Sequence, residues 1–148
     1  MHPSRKFLIR ESSHRVHNPL GADRTAAFGR ALRLEPGMRI LDFASGSGEM
    51  LCAWAAAHRT EGVGVDLNPE RIARARSRAT ELGVAERVRF VHGDAAAYVN
   101  AEPVDVTSCI AASWIAGGAR RHRRIAAAQP PSRRHHARGR AVLAPPPA

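Results

Sequence analysis

The stretch "LDFASGSGEM", Leu41 to Met50, decides the reading of this chain. An apolar, strand-like run enters a turn of small residues, and a helical pattern comes next. A turn of Ala, Ser and Gly lets backbone come close to a bound molecule. Two phosphate-binding patterns compete for such a turn. The dinucleotide fingerprint G-x-G-x-x-G finds its first two glycines in Gly46 and Gly48 but meets Leu51 at the third. The phosphate loop needs a lysine after its glycines, and this turn has none. Asp42 and Glu49 flank the turn with negative charge, a poor setting for a pyrophosphate. The ligand expected here is neutral or cationic.

Outward from this turn, short apolar runs recur at regular intervals. Arg39–Phe43, Gly62–Leu67, Val88–His92 and Val104–Ile110 are rich in Val, Ile or Phe and are bounded by turn residues, so each predicts a strand. Helical patterns lie between them. Asp23–Leu34 is amphipathic, with Phe28, Ala31 and Leu32 on its apolar face, and Glu49–His58 is Ala-rich. Asn68 is a good N-cap followed by Pro69 in the first turn. Ile72, Ala75, Ala79 and Leu82 then recur at helical spacing, and Gly83 gives a stop. Alternating strands and helices predict an α/β fold, a parallel sheet covered by helices. Ligands in such folds bind beyond the carboxyl ends of the strands.

Three acids stand at those ends. Asp42 closes the first strand, Asp66 the second, and Asp94 comes just after the third. An acid in the place of Asp66 accepts hydrogen bonds from both hydroxyls of a ribose. Asp94 is placed to accept from an adenine amino group. The plainer alternative is that all three cap turns or helices. The combination, with no phosphate-binding lysine, favours a nucleoside-containing ligand.

The segments "ILDFASGSGEM", "GVGVDLNPE", "VRFVHGDAAAY" and "VDVTSCIAASWIAGG" resemble, in order, the first four motifs of class I S-adenosylmethionine-dependent methyltransferases, small bacterial members among them. The resemblance covers roughly residues 20–118 and implies a Rossmann-like sheet with flanking helices. It implies that Asp42 and the turn from Ala44 through Gly46 to Gly48 lie beside the methionyl part of the cofactor, whose sulfonium is cationic. Asp66 would take the ribose hydroxyls, Leu67 would pack on the adenine, and Asp94 and Ala95 would meet the adenine edge. Ile110 to Ala112 would lie near the transferring methyl group. Ala44 departs from the family, which often has Gly there; the extra methyl is tolerated if the backbone angle is ordinary. Residues 1–20, with His14 and Asn18, resemble the segment that closes over the cofactor. The cofactor carries the activated group, so the protein's part is positioning and desolvation, and no catalytic residue is assigned. His92 is read as structural.

Composition separates the domain from the C-terminal segment. Residues 1–118 carry 15 Lys and Arg against 13 acids, whereas residues 119–148 carry 8 Arg and no acid. The excess of positive charge therefore belongs to the terminal segment and does not make the domain a nucleic-acid-binding fold. That segment holds 5 of the 10 prolines and no sustained periodicity, a composition of disorder. The family fold calls instead for a helix and a fifth strand introduced by Arg-Pro-Gly-Gly. A one-base change of frame just after Gly118 permits a peptide with those features in that order, so residues 119–148 are read as out of frame and the chain as a poor methyltransferase. A basic arm for RNA or DNA, with RNA methylation, is the alternative, weakened by the lack of an aromatic residue for base stacking. A product without function is the other. A nicotinamide-dependent oxidoreductase is disfavoured by Leu51.

Cys52 and Cys109 show neither metal-ligand spacing nor a disulfide framework, so no metal is expected and a reducing cytoplasm is. The N-terminus lacks the apolar run of a signal peptide, and no stretch suits a membrane span. A small-molecule methyl acceptor is expected; nucleic-acid and membrane partners are not.

Overall fold

The structure is a computed structural model that describes residues 21–110 and the backbone of Ala141–Leu143. Chain order is α1 (Ala22–Ala31), β1 (Arg39–Phe43), α2 (Glu49–His58), β2 (Glu61–Asp66), α3 (Pro69–Glu81), β3 (Val88–His92), β4 (Val106–Ser108) and β5 (Ala141–Leu143). The strands form one parallel sheet in the order β3-β2-β1-β4-β5. From β1 the chain moves outward to β2 and β3, then crosses to the other side of β1 for β4. That reversal opens a crevice at the carboxyl ends of β1 and β4.

Alternation along the strands sorts the core into two faces. Ile40, Phe90 and Val106 pack against Leu51, Trp54, Ile72 and Ala75 of α2 and α3. Leu41, Phe43 and Val65 point the other way, to Ala95, Val104 and Cys109. The third helix forms as its caps predict. The Asn68 side chain accepts from the Glu70 and Arg71 N–H groups at 2.9 and 3.3 Å, and Gly83 takes φ +67° beyond the end.

The structure differs from the sequence reading at three places. Helix α1 ends at Ala31 because Arg33 turns left-handed, with φ +51°. Its buried positions are Thr25 and Gly29, with Phe28 and Leu32 half-buried and Ala31 exposed. The indole of Trp54 dictates this face: its Nε1–H donates to the Thr25 carbonyl at 2.8 Å. Strand β4 is shorter than Val104–Ile110: its register with β1 runs over Val106–Ser108, and at Asp105 the backbone N–H donates to the Arg39 carbonyl while the carboxylate accepts the Arg39 N–H, each at 2.8 Å. Finally, Ala141–Leu143 forms a fifth strand beside β4, in a segment expected to lack structure. Its backbone pairs the outer edge of β4, whose N–H and C=O groups would otherwise be left without strand partners. The rest of residues 119–148, and the expected closing segment 1–20, lie outside the described residues.

The turn of the opening stretch rests on an aromatic shelf. Gly48 has φ +73°, and a Cβ there would stand 2.5 Å from Phe90 Cζ and 2.9 Å from Ala75 Cβ. Both the angle and the close approach require glycine. Gly48→Ala is expected to lower unfolding free energy by roughly 2–4 kcal/mol, combining left-handed strain with overpacking. Urea denaturation of the two proteins measures it; an unchanged midpoint would contradict the packing described.

Candidate functional site

Asp66 gathers three strand ends. Its Oδ2 accepts the Gly46 N–H at 2.9 Å, and its Oδ1 accepts the Asn68 N–H at 2.9 Å. Its backbone carbonyl accepts the Gly93 N–H at 3.0 Å from the loop after β3. The sequence offered two roles for this acid, turn cap or ligand acceptor. The first is observed, and the second is compatible with it, because two hydrogen bonds leave a carboxylate further lone pairs.

The glycine turn bends back over β2, with the Ser45 N–H donating to the Val65 carbonyl at 3.1 Å. Gly46 is buried with φ +58°, yet a Cβ there would find no described atom within 4 Å. No described side chain therefore crowds this side of the turn backbone. Ala44 also has φ +58°, so the condition under which its extra methyl would cost nothing is not met. An L-residue held there costs about 1–2 kcal/mol. The turn is tied down by the bonds at Ser45 and Gly46, which hold Ala44 in this conformation.

Asp42 is buried at the end of β1, between Gly64 and Ser108 in the sheet register. The Ser108 hydroxyl donates to its Oδ1 at 2.6 Å. Burial pushes the Asp42 carboxyl from its ordinary 3.8 up to about 7; the Ser108 hydrogen bond opposes this, and the nearby Asp66 charge adds to it. Sequence reasoning missed Ser108, because a hydroxyl 66 residues away becomes a partner through strand pairing alone.

The other expected residues lie around the same strand ends. Leu67 is 46% exposed beyond β2, an apolar surface open to a flat ligand. His92, read as structural, ties this loop to β3 through Nε2 and the Leu67 carbonyl at 3.0 Å. Asp94 is exposed, and its Oδ1 accepts the Ala96 N–H at 2.8 Å. Ala95 is buried, and Ile110 is half-buried beyond β4. His14, Asn18 and residues 111–112 lie outside the described residues. No cluster of His, Cys, Asp or Glu among the described residues could hold a metal ion. Among those residues, no helix is long and apolar enough to cross a membrane.

Residues 40–128 match the family model of a methyltransferase domain. The chain belongs to this family, the class I S-adenosylmethionine-dependent methyltransferases. The S-adenosylmethionine-dependent methyltransferase of Thiobacillus denitrificans, solved with S-adenosyl-L-homocysteine, is 52% identical with a TM-score of 0.82, over 86% of this chain and 51% of that one. The corresponding methyltransferase of Geobacter sulfurreducens, solved with the same molecule, is 49% identical with a TM-score of 0.81, over 84% of this chain and 50% of that one. The uncharacterized protein YjhP of Escherichia coli (strain K12) is 55% identical over 114 residues, 77% of this chain and 46% of that one. This methyltransferase chain therefore spans about half the length of these relatives.

The raised Asp42 gives a pH signature. Between about 4 and 7 this carboxyl keeps a proton in the folded state and loses it in the unfolded state. Its contribution to stability therefore falls as pH rises through that window and stays low above 7. Asp42→Asn removes the penalty. Its melting temperature should exceed that of the parent by an amount that widens by roughly 5 °C or more between pH 5 and pH 8. Thermal melts across pH check this; a constant difference would mean that Asp42 ionises freely in the folded chain.

Proposed function

We propose that the chain binds S-adenosylmethionine across the carboxyl ends of β1, β2 and β3 and serves methyl transfer to a small-molecule acceptor. The observation that carries this reading is the Asp66 carboxylate, which fixes the glycine turn through Gly46, a residue with no described atom within 4 Å of where its Cβ would stand. The donor set suits the cofactor. A cationic sulfonium is matched by the buried acid Asp42, and a ribose by Asp66. Leu67 offers its exposed side chain to the adenine, and Asp94 and Ala95 meet the adenine edge. Ile110 lies on the side of the methyl group. The relatives solved with S-adenosyl-L-homocysteine support the same assignment.

Bound, the cofactor supplies a methyl group activated by positive charge on sulfur. The chain's residues bind and orient. Asp66 and the turn hold the nucleoside and the methionyl end at a fixed separation, which lowers the entropy lost in reaching a productive alignment. Ile110, half-buried beyond β4, is placed to exclude water from the transferring group. No side chain among those described is required as a general base. A small acceptor is favoured because 8 of the 10 net positive charges lie in residues 119–148, leaving residues 1–118 nearly balanced.

Two substitutions test the cofactor reading. Asp66→Ala should weaken S-adenosyl-L-homocysteine binding by roughly 10- to 100-fold, the value of about 1–3 kcal/mol of lost hydrogen bonding. Gly46→Ala should cost only about 1 kcal/mol of stability, since its Cβ enters open space, yet abolish binding by filling that space. Calorimetry with either variant binding as tightly as the parent would remove the site from these loops.

The composition break after Gly118 supports a further part of the reading. Residues 1–20 close over the site, residues 21–118 form the cofactor domain, and residues 119–148 derive from a different frame, which makes this chain a poor methyltransferase. Sequencing the coding DNA across Gly118 tests the frame. Methyl-transfer assays should then show higher turnover in the frame-restored protein; equal turnover would reject this part.

A further inference from the structure

We propose that Ser108 is a positioning residue of the cofactor site: its hydroxyl, donating to Asp42, favours the charged form of that acid, and the charged form makes the chain prefer the sulfonium cofactor to its neutral thioether product. The inference rests on the proposed cofactor binding and extends it to a residue outside the glycine turn.

The geometry is specific. Ser108 and Asp42 are register partners on β4 and β1, the two strands that flank the topological crossover. The hydroxyl oxygen lies 2.6 Å from Asp42 Oδ1, a separation typical of a hydrogen bond to an ionised acceptor. Both residues are buried, at 1% and 5% exposure, so water competes little for either. Around Asp42 the described groups mostly oppose its charge. Asp66 approaches from β2, and burial removes hydration. Cys109, beside β4, holds its thiol proton, pushed up to about 12 by burial and the Asp42 charge. Glu49, on α2, is held by Arg78 at 3.1 Å. The Ser108 donor thus favours the anion against its surroundings, and the balance falls near neutrality. Asp42 is consequently charged or neutral according to small changes in this one hydrogen bond.

Cofactor and product differ by one methyl group and the positive charge that it creates on sulfur. The ratio of their affinities isolates that charge, because contacts to the nucleoside, amino and carboxylate groups are common to both. An ionised Asp42 raises the ratio in favour of S-adenosylmethionine; a protonated one does not.

The test is calorimetric titration of the full chain with S-adenosylmethionine and with S-adenosyl-L-homocysteine from pH 5.5 to 8.5. In the parent the ratio should rise by about tenfold across neutrality, as expected for one partly screened charge pair. Ser108→Ala should displace that rise upward by about one pH unit. Ser108→Cys, of similar size but a weaker donor, should displace it the same way and serves if the alanine variant does not fold. Ser108→Thr should restore the parental curve, and Asp42→Asn should flatten it. A ratio independent of pH in the parent overturns the proposal, as does a Ser108 variant that weakens both ligands equally without moving the rise. Binding of neither ligand at any pH removes the cofactor reading and this proposal together.

Discussion

The Asp66 carboxylate receives the Gly46 N–H on one oxygen and the Asn68 N–H on the other, each at 2.9 Å, while its carbonyl receives Gly93. Three loops, each leaving a different strand, are thereby held at one residue. A buried carboxylate is stable only when such donors replace its hydration. The demand runs both ways: the turn needs the acid to fix its backbone, and the acid needs the turn for its hydrogen bonds. The positive φ angles at Ala44, Gly46 and Gly48 result from that arrangement, because a turn pulled back onto β2 cannot stay in the extended region. Ala44 carries the strain of this constraint directly.

The same crowding gives the site its electrostatic character. Asp42 and Asp66 lie close enough for the charge on one to raise the pKa of the other, and neither has a cationic partner among its described hydrogen bonds. Two buried acids without a counter-ion are a poor design for stability and a good one for a ligand that brings positive charge of its own. Such a ligand relieves a cost that the free protein bears, an instance of a site built at the expense of the fold. Membership of the methyltransferase family accords with this physical picture, since the cofactor of that family carries a sulfonium.

Aromatic packing sets how rigidly these groups are presented. Phe90 lies under Gly48 so closely that no side chain fits between them, and Trp54 locks α1 to α2 through the Thr25 carbonyl. The glycine turn is thus seated on the sheet by contact as well as by hydrogen bonding. Precise placement of a cofactor depends on such supporting contacts as much as on the groups that touch it.

The sequence by itself determined the elements and their chemistry. Alternating short apolar runs and capped helical patterns dictated a parallel α/β sheet, because hydrophobic period and capping are local properties. The small-residue turn and the acids Asp42, Asp66 and Asp94 were legible for the same reason: each comes directly after its strand or closes it. Tertiary structure decided the features that depend on neighbours distant in the chain. It paired Asp42 with Ser108 across 66 residues, limited β4 to the residues in register with β1, and turned the face of α1 toward Trp54. It set a left-handed angle at Ala44, where the residue type argued for an ordinary one. It also recruited Ala141–Leu143 to the edge of β4, in a segment whose composition gave no sign of a strand. Strand register and edge pairing join residues remote in sequence, so no local pattern records them.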